Sequence, residues 1–150
     1  MKPTGVMKSD KGRILLVEDE QGLVDVYHDF LLNNSYDFLS TKDIEEALTL
    51  TGFEQPDLVL LDIIIPKPEN TMAEQGWEYL EKVKKNPKTK DIPIVVFTNL
   101  DTHRDRVRSK KMGAIAYIFK RDCTPRETME AIAKIIKKDR DKKKKLKNKK

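Results

Sequence analysis

The stretch DLVLLDIIIP, Asp57 to Pro66, decides how the rest of the chain is read. Leucine, valine and isoleucine follow one another between polar turns, which is the pattern of a strand buried on both faces. Asp62 interrupts the run near its end. A carboxylate there is costly unless something pairs with it. The plain alternative is that the strand stops at Asp62 and the side chain meets water. Three other apolar runs end in a polar or charged residue of a kind that could meet Asp62, and this makes Asp62 the candidate reactive centre.

Outward from that strand the chain alternates strand-like and helix-like patterns five times. Arg13 to Val17 reads as the first strand and runs directly into Glu18, Asp19 and Glu20. Leu23, Tyr27, Phe30 and Leu31 then recur at helical spacing until Asn33-Asn34. Phe38 and Leu39 mark a short second strand. Asp43 with Glu46 predicts a capping box for a helix whose inner face is Ile44, Ala47 and Leu48, closed by Gly52. After Pro66 the polar loop KPENTMAEQ precedes a helix from about Gly76 that carries Trp77, Leu80 and Val83. Ile94 to Phe97 is the fourth strand and ends at Thr98 and Asn99. A weakly apolar, Arg- and Lys-rich helix spans roughly Thr102 to Met112. Ala116 to Phe119 is the fifth strand and ends at Lys120. The last helix has the clearest start, with Thr124 as cap, Pro125 at the first helical position and Glu127 completing the box. Its inward residues are Met129, Ile132 and Ile136.

Such alternation predicts a parallel sheet with helices on both faces. Ligands bind such sheets beyond the carboxyl ends of the strands, where the winding reverses. Glu18, Asp19, Asp62, Thr98 and Lys120 all fall at those ends. Adjacent strands lie about 4.8 Å apart, so these groups can converge on one small site.

Composition bounds the rest. The chain has 150 residues, 38% hydrophobic and 37% charged, which predicts one soluble domain with a real core and a very polar surface. No apolar run approaches the ~20 residues of a membrane span, and MKPTGVMKSDKG has no apolar segment of signal-peptide type. With Cys123 as the only cysteine an internal disulfide is impossible and a reducing cytoplasm fits; Cys123 itself reads as an ordinary thiol. The net charge is +5, but Lys137 to Lys150 holds ten basic and two acidic residues, +8, which leaves −3 for the remainder. The basic character is therefore a tail, which weakens the case that the domain itself is built to hold nucleic acid and counts against nucleic acid as a partner.

The runs LLVEDE, LVLLDIIIP and VVFTN, the Gly113-Ala114 turn with Tyr117, and IFK before a capped last helix resemble the receiver domain of two-component response regulators. The resemblance covers Arg13 to Lys137. It implies an α/β, flavodoxin-like (βα)5 fold, a doubly wound parallel sheet of strand order 2-1-3-4-5. It also implies roles: Asp62 as phosphoacceptor, and Glu18, Asp19, Asp62 and the carbonyl of Ile64 as ligands of Mg²⁺. Thr98 and Lys120 match the hydroxyl and ammonium that bind the phosphoryl group, and Tyr117 matches the aromatic switch. Implied partners are a sensor histidine kinase or histidine phosphotransfer protein and a downstream protein, with a homodimer on phosphorylation also compatible. Such a domain is a phosphoacceptor rather than an enzyme, limited to Mg²⁺-dependent self-phosphorylation and slow self-dephosphorylation.

The chemistry needs these residue types. Crowded carboxylates repel and raise one another's pKa values, and a hard divalent cation relieves that. Phosphoryl transfer asks the protein mainly to position the groups and to neutralise charge. The expected organisation is a disordered leader over 1–12, the receiver over 13–138, and a basic tail over 139–150. That tail is either disordered or a frayed extension of the last helix, and lies beyond its last packed turn. Three features depart from the family pattern: Asn99 where a small residue is usual, Arg121 where proline is usual, and a longer loop from Pro66 to Gly76. Two other classes compete. A Mg²⁺-dependent phosphohydrolase with Asp62 as nucleophile would want a second acid where Ile64 stands. A receiver-like domain whose basic tail binds nucleic acid or another acidic surface is the second, against a solvated end as the plain reading. The single-domain type of response regulator is the expectation carried forward.

Overall fold

The computed structural model describes residues 9–148. The part of the expected leader before Ser9, and Lys149 and Lys150 of the tail, lie outside the described residues. The elements are β1 (Arg13–Val17), α1 (Gln21–Asn33), β2 (Asp37–Thr41), α2 (Ile44–Glu54), β3 (Leu58–Leu61), α3 (Gly76–Lys85), β4 (Ile94–Thr98), α4 (His103–Lys111), β5 (Ala116–Phe119), a 3₁₀ turn (Lys120–Asp122) and α5 (Pro125–Asn148). The five strands form one parallel sheet in the order β2-β1-β3-β4-β5, the predicted doubly wound, flavodoxin-like arrangement.

Side-chain alternation sorts the strand residues onto two faces. Leu15, Val17, Val59, Leu61, Ile94 and Val96 pack with Ile44, Ala47 and Leu50 of α2 and with Tyr79, Leu80 and Val83 of α3. Ile14, Leu16, Leu58, Leu60, Val95 and Phe97 pack on the other face with Tyr27 and Leu31 of α1 and Ile132 and Ile136 of α5. Both faces of β1, β3 and β4 are thus covered, which is why these strands read as unbroken apolar runs. Buried hydroxyls are paired: Tyr27 Oη donates to Thr128 Oγ1 at 3.0 Å, tying α1 to α5, and Thr51 and Tyr79 share a hydrogen bond of 2.6 Å between α2 and α3.

Several local expectations are corrected. The strand within DLVLLDIIIP is Leu58–Leu61, so Asp62 is the first residue past its end. Ile63 and Ile65 remain buried in the loop, because they pack into the core cluster with Trp77, Tyr79 and Leu80 of α3. Gly52 does not close α2; the helix runs to Glu54 and Gln55 takes the left-handed cap at φ 47°. Asp43 caps α2 by accepting from the Glu45 N–H at 3.0 Å, but the Asp43 N–H goes to Thr41 Oγ1 at 3.1 Å instead of to Glu46. On α1, Val24 is buried and the expected Leu23 and Phe30 only partly so; on α2, Leu50 takes the buried place expected of Leu48. The box of α5 forms as predicted, with Glu127 Oε1 accepting from the Thr124 N–H at 3.0 Å and Thr124 Oγ1 from the Glu127 N–H at 3.2 Å.

At the amino end of the sheet lies a charged cluster. Arg13, 5% exposed, pairs with buried Glu54 at 2.5 Å. Ser9 N–H donates to Asp37 Oδ2 at 2.7 Å, so residues 9–12 are held against β2. α5 runs without a break to Asn148. Its packed part extends past Lys138, because Arg140 Nη1 donates to the carbonyl of Asp10 at 2.8 Å and Arg140 lies 3.8 Å from Asp57. No helix of the described residues is long and apolar enough to cross a membrane.

Candidate functional site

Strand register sets the site. Val17 pairs with Leu61, so Glu18 and Asp62 leave adjacent strands side by side, and the Asp62 N–H still donates to the Val17 carbonyl at 3.0 Å. Thr98 pairs with Phe119, which places Lys120 one step beyond on the neighbouring strand. The order β2-β1-β3 means that the winding of successive strands across the sheet reverses between β1 and β3, and the cleft opens there.

The side chains close on one another. Lys120 Nζ donates to Asp62 Oδ2 at 2.7 Å and also to Glu18 Oε1. Glu18 Oε2 accepts from the N–H groups of Asp19 and Glu20 at 3.0 and 3.2 Å. Oxygens of Glu18, Asp19 and Asp62 lie within 4.8 Å of one another, with Glu18 and Asp62 buried and Asp19 exposed. Asp62 Oδ1 accepts from the Ile64 N–H at 3.1 Å, which fixes the carboxylate plane. Thr98 is fully buried, its Oγ1 accepting from the Leu100 N–H at 3.4 Å.

The electrostatics follow from crowding. Burial first, and then the charge of Asp62, push the Glu18 carboxyl up to about 7, partly offset by Lys120. Burial alone would lower the Lys120 ammonium, but the charges of Asp62 and Glu18 and their hydrogen bonds outweigh it and hold it above its usual value. Two buried carboxylates and one exposed carboxylate against a single ammonium leave an excess of negative charge. Three oxygen donors from carboxylates with one open side suit a hard cation such as Mg²⁺, which takes few protein ligands and keeps its remaining places for water and phosphate. The donor set therefore fits that ion.

Tyr117 lies outside this cluster. Its hydroxyl donates to the Leu100 carbonyl, and the Arg106 guanidinium sits 5.1 Å from its ring centroid. Arg106 is in turn bonded to Asp101, Nε to Oδ1 at 3.0 Å. Burial, then the charge of Asp105, pushes the phenol up to about 12, so it stays a donor through the physiological range. Asn99 is exposed beside the cleft, and none of the described peptide bonds is cis, in keeping with Arg121 in the place of proline.

Gly76 contributes in a way the sequence did not signal. Its N–H donates to the Ile63 carbonyl at 2.9 Å, and a Cβ there would lie 2.5 Å from Ile63 Cα and 2.6 Å from the Asp62 carbonyl oxygen. The start of α3 therefore rests directly on the backbone that carries Asp62. The longer loop is tied down beside it, with Gln75 Nε2 donating to the carbonyls of Ile65 and Pro66 at 3.0 and 2.8 Å. Trp77 Nε1 donates to Glu74 Oε1 at 2.8 Å, and Arg108 of α4 stacks on the indole at 4.3 Å. The sequence marks Gly76 as helix start, Trp77 as helix core and Glu74 and Gln75 only as parts of a polar loop; pairings across the loop leave no periodic signal.

A family model described as response regulator receiver domain matches residues 14–133. The chain is 31% identical over 124 residues to the phosphate regulon transcriptional regulatory protein PhoB of Escherichia coli, covering 83% of this chain and 51% of that protein. It spans about half the length of the curated relatives it matches. Among solved structures, a CheY-like response regulator receiver domain protein from Methanospirillum hungatei superposes with a TM-score of 0.75 at 27% identity, over 87% of this chain and 97% of that one. The signal receiver domain of a signal transduction histidine kinase from Syntrophus aciditrophicus gives 0.69 at 26% identity, over 83% and 89%.

Proposed function

The chain belongs to the response regulator receiver domain family, and on that premise we propose that Asp62 accepts a phosphoryl group from a phosphohistidine of a sensor kinase or phosphotransfer protein. Domains of this family are signalling phosphoacceptors rather than enzymes in the ordinary sense. A carboxylate oxygen of Asp62 forms the new O–P bond while the P–N bond to the histidine breaks and the imidazole leaves with the electron pair. The observation that carries this reading is Lys120 held between Asp62 and Glu18, with Asp19 beside them. Lys120 is placed to follow the developing charge onto the phosphoryl oxygens. Glu18, Asp19, Asp62 and the Ile64 carbonyl would hold Mg²⁺, which supplies charge neutralisation when bound. Thr98 is the hydroxyl available to the transferred group.

Signalling follows from the product. An acyl phosphate adds nearly two negative charges and new acceptor oxygens at the floor of the cleft. Thr98 moving toward them would empty the volume that Tyr117 can fill, at the loss of its bond to the Leu100 carbonyl. The surface of α4, β5 and α5 would then present itself differently to a protein partner, a local charge event with a distant readout. On this reading a change of protein partner is the output, and the domain works as a single receiver in the cytoplasm. The curated relatives, of which the match covers about half, leave an attached output unit as the alternative.

The test is phosphosite mapping after incubation with a small phosphodonor and Mg²⁺. The wild type should gain one phosphoryl group on Asp62, and Asp62→Asn should gain none, since an amide is not a carboxylate nucleophile. Asp19→Ala should lose the Mg²⁺ dependence together with the rate. Normal, Mg²⁺-dependent labelling of Asp62→Asn would overturn the assignment.

A further inference from the structure

At the end of the sheet opposite Asp62, α5 and the entry to β1 enclose a groove of about 330 Å³. Lys11, Lys137, Arg140 and Lys144 line it with a single carboxylate, Asp141, and the Tyr36 ring and Ile136 form its apolar floor. Lys11 Nζ stands 5.6 Å from the Tyr36 ring centroid, and Arg140 fastens the helix to the Asp10 carbonyl. The groove is therefore built on fixed backbone.

The helix then carries the charge onward. At 3.6 residues per turn, positions 137, 140, 144 and 147 fall within an arc of roughly 80°, continuing the groove along one face. Residues 142–145 are all lysine and all exposed. Lys138 and Lys142, Arg140 and Lys144, and Lys143 and Lys147 are like-charge neighbours at i,i+4, each an unfavourable pair. Among the described residues the ion pairs that offset this are Lys143 with Asp139 at 2.7 Å and Arg140 with Asp57 at 3.8 Å. The helical form survives this repulsion, and a polyanion laid along it would relieve the repulsion.

We propose that this face, Lys11 with the Lys137, Lys144 and Lys147 stripe, binds the phosphate backbone of duplex nucleic acid without reading its sequence. The span from residue 137 to 147 is about 15 Å of helix. One strand of a duplex presents a phosphate about every 3.4 Å of axis, so about four phosphates face that span. A membrane surface fits less well. The exposed large apolar residue of the segment is Leu146, and an interfacial helix needs a continuous apolar face. Residues 1–136 sum to −3 and residues 137–150 to +8, so the basic excess of the chain lies in this segment. This surface is independent of the phosphoacceptor reading.

Fluorescence anisotropy of a labelled 20-base-pair duplex, titrated with the full chain at salt from about 50 to 200 mM, tests it. Four phosphate contacts predict a slope of log K against log salt near −4, and the same affinity for unrelated sequences. The triple variant Lys137→Glu, Lys144→Glu, Lys147→Glu, checked for unchanged helicity by circular dichroism, should weaken binding more than about 100-fold at ~100 mM salt. Each lost contact is worth about 8-fold there, and the residual slope should approach −1. A charge-matched triple on another face, Lys88→Glu, Lys90→Glu, Lys110→Glu, should leave most of the affinity. Absence of binding at the lowest salt overturns the proposal, as does equal weakening in both triples. Tighter binding to phosphatidylserine vesicles than to the duplex, through the same lysines, would reassign the face to a membrane and also overturn it.

Discussion

Replacing Gly76 and Gly52 by alanine, one at a time, sets the same chemical change against two environments. At Gly52, within α2, nothing lies within 4 Å of the added methyl, and α2 continues two residues beyond it. Alanine there lowers the entropy of the unfolded chain and favours the helix, a gain of about 0.4–1 kcal/mol. At Gly76 the methyl would meet backbone at 2.5 and 2.6 Å, from the Ile63 Cα and the Asp62 carbonyl. Neither atom can swing aside as a side-chain tip would. The start of α3 or the Asp62 loop must shift, at a cost of about 1–3 kcal/mol or more that outweighs any propensity gain. In a domain of this size each kcal/mol moves the midpoint by about 2–4 °C. Gly52→Ala should therefore melt about 1–4 °C above wild type and Gly76→Ala several degrees below it, in parallel calorimetric scans. Because the shift acts on the segment carrying Asp62, Gly76→Ala should also slow labelling by a small phosphodonor, while Gly52→Ala should not. A Gly76→Ala protein that melts with wild type and labels at its rate would refute the close-approach reasoning.

Mg²⁺ binding should depend on pH through Glu18, whose carboxyl is pushed up to about 7 without metal. A carboxyl raised on folding weakens the metal-free protein as pH climbs from about 4.5 toward 7, and at any pH below about 7 Mg²⁺ must displace its proton. The Mg²⁺-induced rise in melting temperature should thus be larger at pH 8 than at pH 6, and in Glu18→Gln it should lose its pH dependence; a constant rise in wild type would count against this. Self-dephosphorylation should be slow, since Ile64 and Leu100, each two residues past a group of the site, shield it and cannot orient water. Ile64→Asn or Leu100→Glu should speed loss of the phosphoryl group several-fold, a barrier change of roughly 1 kcal/mol. Unchanged lifetimes in both would move control to the longer loop held by Gln75.

What the sequence revealed and what it hid have different physical origins. Strands covered on both faces must be apolar throughout, so Leu58–Leu61 and Ile94–Thr98 announced themselves, and the polar residue ending each run marked the cleft. The box at Thr124 and Glu127 is local chemistry and was legible for the same reason. Gly52 misled because glycine is common past helix ends, whereas Gln55 took the left-handed turn once tertiary packing carried α2 two residues further. The pairing of Arg13 with Glu54 was not legible, because contact between residues 41 apart has no local signature. The Gly76 contact was hidden because a missing side chain says nothing about which backbone fills its place. Arg108 on Trp77 was unreadable because it joins two helices through residues 31 apart in the chain.

Trp77 is the chain's sole tryptophan. Its indole N–H is held by Glu74, its face is covered by Arg108, and its neighbour Gly76 rests on the backbone of Asp62 and Ile63. The protein thus carries one tryptophan fluorophore, excitable apart from its four tyrosines, with a charged group on each side, next to the segment where its chemistry is centred. Emission from such an indole responds to small displacements of either charge. Occupancy of the cleft can therefore be followed optically on the unmodified chain in a stopped-flow instrument, with no label to perturb it.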